Sequence, residues 1–368
     1  MDQVEIEVVG RSHEGRGIGR LNGQVVFLEN ALPGEHVRAQ LTQKKRKMRM
    51  GIAQEILANP NPDRVIPPCE FALTCGGCSL QHISVEAQQR YKRQTVQEQL
   101  QHFAKIKIDD LDWAPTLSGP NVHYRRKARL GVKFVTKKNK VLVGFREKST
   151  HFLTNMSSCK VLDERVANLI EPLQILIEQL SVKSEIPQIE VAAGDDRVAL
   201  GFRHLQPYSD ADKVLLIEFA QQHLIDLYMQ PGNTESAHRI WPLEGTELLH
   251  YQLSLPLSNN SVSSNTLTMQ FELFDFVQVN ADVNRQMVRQ ALEWLNIKSS
   301  DRVLDLFCGL GNFTLPLAQY AREAVGIEAS DAMVDRGYKN AQFNQINNIH
   351  FHAADLLSVA VKNHLDAL

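Results

Sequence analysis

The chain has 368 residues, 43% of them hydrophobic and 22% charged, enough for two or three separate cores. Its 40 Lys and Arg against 42 Asp and Glu give a formal net charge of −2, which excludes a globally basic protein but not local basic patches. No run of 18 apolar residues occurs, and Met1-Asp2-Gln3-Val4-Glu5 is neither basic nor apolar, so a cytoplasmic protein without a membrane partner is predicted.

Residues 1–58 predict a small β-barrel. Val4, Ile6 and Val8 alternate with Glu5 and Glu7, and Val37, Ala39 and Leu41 alternate with Arg38 and Gln40. Gly15, Gly17, Gly19 and Gly23 supply the turns between short strands. Lys44-Lys45-Arg46-Lys47-Met48-Arg49 puts five cations into six residues. On the rim of an oligonucleotide-binding type of barrel, such a run meets phosphates rather than serving only as a solvated hairpin tip.

Residues 59–269 predict a linker and a mixed α+β middle domain. Asn59–Pro68 contains four prolines and is expected to be extended. Cys69, Cys75 and Cys78 follow, with Gly76-Gly77 allowing the tight fold that lets three thiolates converge, and Cys159 is the candidate fourth ligand. Four thiolates suit structural zinc or an iron–sulfur cluster; a triplet with one remote Cys favours a [4Fe–4S] cluster over the paired spacings usual for zinc. Ser84–Phe103 predicts a helix with Ser84 as N-cap. Tyr124–Lys140 carries Arg125, Arg126, Lys127, Arg129, Lys133, Lys137, Lys138 and Lys140 with no acid, a second RNA-facing candidate in which Tyr124 offers a stacking ring. Glu164–Leu180 predicts one amphipathic helix, Ile189–Val191 and Val198–Phe202 predict strands, and Ser209 with Asp212 predicts a capping box.

Residues 270–368 predict strand–helix alternation, half of a doubly wound sheet. The helix Val283–Leu295 places Val283, Met287, Ala291 and Leu295 on one face. Val303–Phe307 predicts a strand buried on both faces, broken by Gly309 and Gly311 before a helix. That turn brings backbone amides to a ligand at a helix N-terminus. Position 314 is Thr where a dinucleotide fingerprint has its third Gly, and Asp305 would repel a pyrophosphate. The cationic S-adenosylmethionine fits better, with Glu328 and Asp355 each following a further predicted strand. Cys308, inside the loop, is assigned to packing, because no neighbouring base or cation activates it.

Taken together, these motifs resemble the RlmD (RumA) type 23S rRNA (uracil-C5)-methyltransferases, along the whole sequence. The resemblance implies a TRAM domain at residues 1–58, a cysteine-cluster domain, and a partial Rossmann-like methyltransferase domain. It implies Cys69, Cys75, Cys78 and Cys159 as [4Fe–4S] ligands, and Gln278, Phe307, Asn312, Glu328 and Asp355 around adenosylmethionine. It further implies a monomer acting on 23S rRNA, not DNA, with a flipped uridine whose C6 is attacked by a Cys thiolate. The family carries that nucleophile in a Ser-Cys-Asn-Pro segment and a base in a His-Leu-Glu segment, which this sequence lacks. On its own the 368-residue chain is therefore expected to be inactive, with a marginal C-terminal domain whose Val303 strand has an unpaired apolar edge. Two rival readings are a noncatalytic RNA-binding protein with a redox-sensing cluster and a transfer-RNA uracil-C5 methyltransferase.

Overall fold

Along β1 (Gln3–Arg11) only Ile6 and Val8 are fully buried, which is the alternation expected of a strand with one wet face. A computed structural model describes residues 3–44, 48–256 and 266–356. β1 joins β2 (Gly17–Leu21), β3 (Gln24–Glu29), β4 (His36–Lys44) and β5 (Met48–Ala58) in a closed barrel of order β1-β2-β3-β5-β4. Ile6, Val8, Val26, Leu28, Val37, Ala39 and Ala53 fill its centre. Gly19 is required there, since a Cβ would lie 2.3 Å from Ile6 Cγ2.

The barrel belongs to the first of two compact units, Met1–Thr116 with Leu142–Lys160; the second comprises Leu117–Val141 with Val161–Leu368. In the first, the proline stretch is fastened to the barrel. The Glu35 carboxylate, wholly buried, accepts from Arg64 Nε and Nη2 at 2.6 and 2.7 Å and from the Leu32 and Asn61 amides. Burial opposes its charge, but these donors outweigh burial and hold its pKa below the usual value. The helix α1 (Val85–Phe103) starts where predicted, with the Ser84 hydroxyl accepting from the Ala87 amide.

In the second unit β6 (Lys127–Val135) leads to β7 (Lys140–Gly144), on which the chain passes to the first unit. The predicted helix Glu164–Leu180 is two helices, α2 (Glu164–Ala167) and α3 (Ile170–Gln179). Pro172 explains the break: its ring would meet the carbonyl of Asn168 in a continuous helix, whereas the first turn of a new one tolerates it. β8 (Gln188–Ala193), β9 (Val198–Arg203), α4 (Asp210–His223), β10 (Ile225–Gln230) and β11 (His238–Trp241) follow, with strand order β11-β10-β9-β8-β6. The capping box of Ser209 and Asp212 is formed.

β12 (Leu249–Ser254) and β13 (Thr266–Phe271) make an antiparallel ribbon. Beyond them lie α5 (Ala281–Leu295), β14 (Arg302–Leu306), α6 (Thr314–Ala318), β15 (Glu323–Glu328), α7 (Asp331–Phe343) and β16 (Ile349–Ala353). The three strands pair in parallel as β14-β15-β16.

Two expectations are corrected here. The buried face of α5 is Asn284, Val288 and Leu292, one residue on from the predicted stripe, and Leu295 is 59% exposed. The Val303 strand is not buried on both faces. Among the described residues β14 pairs only with β15, and Leu304 and Leu306 are exposed because no element covers that face.

Candidate active site

The site forms where β14 stops. Phe307 turns the chain with a left-handed backbone, φ 62°, which a bulky residue adopts only under constraint, and its ring is 64% exposed. The Cys308 amide donates to the Ile327 carbonyl at 3.0 Å, continuing the pairing with β15 for one more residue. At Gly309 a Cβ would meet nothing within 4 Å, so that side of the loop is open. Gly311 has φ +93°, and a Cβ there would lie 2.3 Å from Leu315 Cδ1, so only glycine suits the position.

Glu328, at the end of β15, spans this loop. Its Oε2 accepts from the Gly309 amide at 3.1 Å, while Oε1 accepts from the Ala329 and Ser330 amides at 2.8 and 3.1 Å. Three of the roughly four lone-pair positions of the carboxylate are thus used, leaving about one for a ligand. Asp305 lies deeper. Burial raises its pKa, opposed by the Thr314 hydroxyl, which donates to Oδ2 at 2.7 Å. Phe307, Glu328 and Asp355 therefore stand at or just past the C-terminal ends of three adjacent parallel strands, the edge at which open α/β sheets bind ligands. Asp355 and Gln278 are exposed. The segment holding Gln278 runs into the Asn280 N-cap of α5, and it is Asn284 of that helix that reaches the loop, bonding Asn312.

With this geometry in place, comparison with known proteins is informative. Residues 257–365 match the family model described as tRNA (Uracil-5-)-methyltransferase, and residues 2–51 match the TRAM domain. The 23S rRNA (uracil(1939)-C(5))-methyltransferase RlmD of Alcanivorax borkumensis is 48% identical, the match covering 94% of this chain and 75% of that protein. The RlmD of Hahella chejuensis is 44% identical, with 96% and 77% covered. The chain belongs to the RlmD family. A Pyrococcus abyssi tRNA (uracil-54, C5)-methyltransferase structure, crystallised with S-adenosyl-L-homocysteine, shares the fold at TM-score 0.68, with 18% identity and 97% of this chain and 81% of that one covered.

In an RlmD relative the four cysteines and the basic strand invite scrutiny. Cys69, Cys75, Cys78 and Cys159 all lie in the first unit and form no disulfide; Cys75 and Cys159 are buried, the other two half-buried. Cys75 Sγ accepts from the Gly77 amide at 3.4 Å. Among the described residues, no three His, Cys, Asp or Glu side chains are arranged as a metal-ligand set. Thiols have no mutual attraction that would gather them without a cation.

The basic strand divides into two classes. Arg126 is buried, bonded to Asp195 at 3.0 Å, and Lys127 Nζ donates to the Leu273 carbonyl, burial lowering its pKa to about 8. Arg129 pairs with Glu190. Lys133, Lys137 and Lys138 remain exposed, and Tyr124 is half-buried. The earlier reading of one continuous RNA-facing run is thus corrected: Arg126 and Lys127 answer to internal acceptors. Lys45, Arg46 and Lys47 of the other run lie outside the described residues.

Sequence reasoning missed Asn284 and Tyr251, both of which bond Asn312. The available signal was an amide at the i−4 position from Val288 on an otherwise apolar face.

Cys308 is 5% exposed, and its thiol is pushed up to about 12 by burial first and then by the carboxylates of Asp305 and Glu328. At pH 8 about one such thiol in ten thousand is ionised. Iodoacetamide at pH 8 should therefore leave Cys308 unmodified in the folded protein and label it after denaturation, as peptide mass spectrometry would reveal. Rapid native labelling would contradict the packing role.

Proposed function

We propose that this protein transfers the methyl group of S-adenosylmethionine to C5 of a uridine in 23S ribosomal RNA. The observation that carries the reading is the Gly309–Glu328 closure at the ends of three parallel strands, in a chain 48% and 44% identical to named 23S rRNA methyltransferases. The closure fits a nucleoside with a cationic tail: an open glycine flank, an exposed aromatic ring and the carboxylates of Glu328 and Asp355 line one sheet edge, with Asp305 deeper.

Adenosylmethionine supplies an electrophilic methyl group on a sulfonium. The protein's own residues bind and orient it. Glu328, held by three amides, presents its remaining lone pair to a ribose hydroxyl. The Phe307 ring offers an apolar face to the adenine, and Gln278 and Asp355 complete the wall. Asp305 braces the start of α6 through Thr314. Uracil C5 becomes nucleophilic once a thiolate has added at C6. The methyl group then moves from the sulfonium to C5, a base takes the C5 proton and the thiolate leaves C6; neither thiolate nor base is assigned to a residue described above. Buried, neutral Cys308 does not make that attack; it packs beneath the loop.

RNA is held by phosphate contacts. The TRAM-type barrel and Lys133, Lys137 and Lys138 form the cationic surfaces of the reading. A cleft of about 650 Å3 beside Cys78 is lined by both charges, Arg16, Arg146 and Lys148 with Glu29 and Glu147, and Arg16 is paired to Glu29 at 2.7 Å, so it adds no clear cationic surface.

Cys69, Cys75, Cys78 and Cys159 hold a [4Fe–4S] cluster in this reading. Their fit rests on the all-thiol donor set in one unit and on the backbone of the loop. The Gly77 amide donates to Cys75 Sγ, and a Cβ at Gly77 would lie 3.2 Å from the Phe145 ring and 3.4 Å from that sulfur, so bare backbone is the easier fit beside it. Where a cluster is bound, it serves to pin the loop between Cys69 and Cys78 to the segment around Cys159.

Titration calorimetry should find one adenosylmethionine site, and Glu328→Ala should weaken it about tenfold or more through loss of a ribose contact and of the loop closure. Unchanged affinity would remove the site from this loop. For RNA, replacing Lys133, Lys137 and Lys138 by Gln should flatten the log–log salt dependence of 23S fragment binding by about 2. An unaltered slope would clear those lysines of phosphate contact. For the cluster, anaerobically purified protein should contain iron and acid-labile sulfide in equal amounts, and Cys159→Ser should lose both; zinc without sulfide would decide for the zinc reading instead.

A further inference from the structure

The glycine loop is held from behind by a small polar lock. Asn312 and Asn284 face each other as a reciprocal amide pair, each Nδ2 donating to the other's Oδ1 at 2.9 Å. The Tyr251 hydroxyl donates to the same Asn312 Oδ1 at 2.8 Å. Asn284 is 4% and Tyr251 3% exposed, so each hydrogen bond is made away from bulk water, where a lost partner is not replaced.

These bonds settle what the Asn312 side chain has left to offer. An amide oxygen has two lone pairs, and Asn312 Oδ1 already accepts twice. One of its two N–H groups is taken by Asn284. Its oxygen has no lone pair left for a ligand's hydroxyl or ammonium group; one N–H remains, and the side chain also fixes the position of the chain.

The loop needs such fixing. Phe307, Gly309 and Gly311 all have left-handed backbones. Between them the loop has few backbone bonds of its own: Cys308 N–H to Ile327 O, and Gly311 N–H to Cys308 O, each at 3.0 Å. A backbone in sparsely populated conformations persists only where its surroundings determine it.

The lock is anchored in turn. The Arg126 guanidinium lies 5.2 Å from the centroid of the Tyr251 ring and bonds Asp195. Asp195 also accepts twice from Arg285 Nη2 of α5, at 3.0 and 2.8 Å, and its Oδ2 accepts from the Gln252 amide next to Tyr251. Tyr251 is thus clamped by its ring, by its neighbour's backbone and by its hydroxyl, all within the second unit.

We propose that Tyr251 and Asn284 are positioning residues for the methyl-donor site: they saturate the Asn312 side-chain oxygen and so hold the loop from Phe307 to Gly311 in its binding shape. The proposal rests on the loop being the adenosylmethionine site, and its test separates the two ideas. Tyr251→Phe removes one hydroxyl and leaves the ring beside Arg126 in place; Asn284→Ala removes the amide partner. In calorimetry with S-adenosylhomocysteine, Tyr251→Phe, Asn284→Ala and Asn312→Ala should each weaken binding by about tenfold. Tyr251→Phe combined with Asn312→Ala should bind no more weakly than Asn312→Ala alone, since both act through one residue.

Hydrogen exchange on the ligand-free protein gives a readout that a general loss of stability would not mimic. In Tyr251→Phe the amides of residues 307–313 should exchange about tenfold faster, while those of β8, β9 and β10 keep their protection. Binding within about twofold of the parent by Tyr251→Phe, additive effects in the double variant, or unchanged loop exchange would each overturn the lock. If the parent protein fails to bind adenosylhomocysteine, the proposed function falls, and the exchange result still decides whether the lock exists.

Discussion

The ring of Phe351, on β16, fills a space that three glycines leave for it. A Cβ on Gly326 of β15 would lie 2.8 Å from the ring, one on Gly337 of α7 also 2.8 Å, and one on Gly311 of the site loop 3.1 Å. Cys308 reaches the same spot, its sulfur 2.8 Å from the position of a Gly326 Cβ. Burying a ring of this size contributes about 2–3 kcal/mol, and overpacking it costs a similar amount, so larger residues at these positions are excluded. The consequence for the candidate site is that the loop packs against this ring at Gly311, with no room for a side chain between them. A loop resting on a rigid aromatic surface can expose its backbone on the other side, as Gly309 does.

A second constraint is polar. On α7 the residues Arg336, Asn340 and Asn344 stand four apart on one face and are stitched to β13 and the turn after it. The Asn344 amide exchanges hydrogen bonds with both backbone groups of Thr268, and the Asn340 amide does the same with Gln270. Asn340 also donates to the Leu310 carbonyl of the site loop at 3.3 Å. Two side-chain amides thus take the place of a further strand along β13, satisfying an edge that would otherwise be buried unpaired. Arg336 ends the row on Asp275 and Glu272. Specificity, more than stability, follows from such a row, since only one register of helix and ribbon satisfies every amide.

How much of this the sequence disclosed depends on where each residue's partner lies. The barrel strands, the Ser84 and Ser209 caps, and the strand–glycine–helix turn were legible because alternation, capping and turn chemistry are local. The split of the helix at Asn168 was legible in principle from Pro172 and was missed. The roles of Asn284 and Tyr251 were not legible, because their partner Asn312 is 28 and 61 residues away. The shift of the α5 face by one residue follows from the same fact: an amide that looks like a surface residue turns inward to reach the loop. Val303–Leu306 looked like a central strand because its hydrophobicity is continuous, and hydrophobicity alone does not say which neighbours cover it.

The basic strand shows the same limit in its charges. Of Arg126, Lys127 and Arg129, consecutive or nearly so in sequence, two face inward to Asp195 and the Leu273 carbonyl, and the third meets Glu190. Strand alternation does not make this division: Lys127 and Arg129 share one face of β6 and Arg126 precedes the strand, so what separates the three is the acceptor each one meets. Arg126 is itself buried and held against Asp195 and the Tyr251 ring, so its guanidinium is not presented to a phosphate, whereas Asp195 is exposed and also meets Arg285. What Arg126 gains in exchange is a fixed relation to Tyr251, and through its hydroxyl to Asn312. The charge of Arg126 is thereby committed to the surroundings of the glycine loop, while Lys133, Lys137 and Lys138 further along remain exposed.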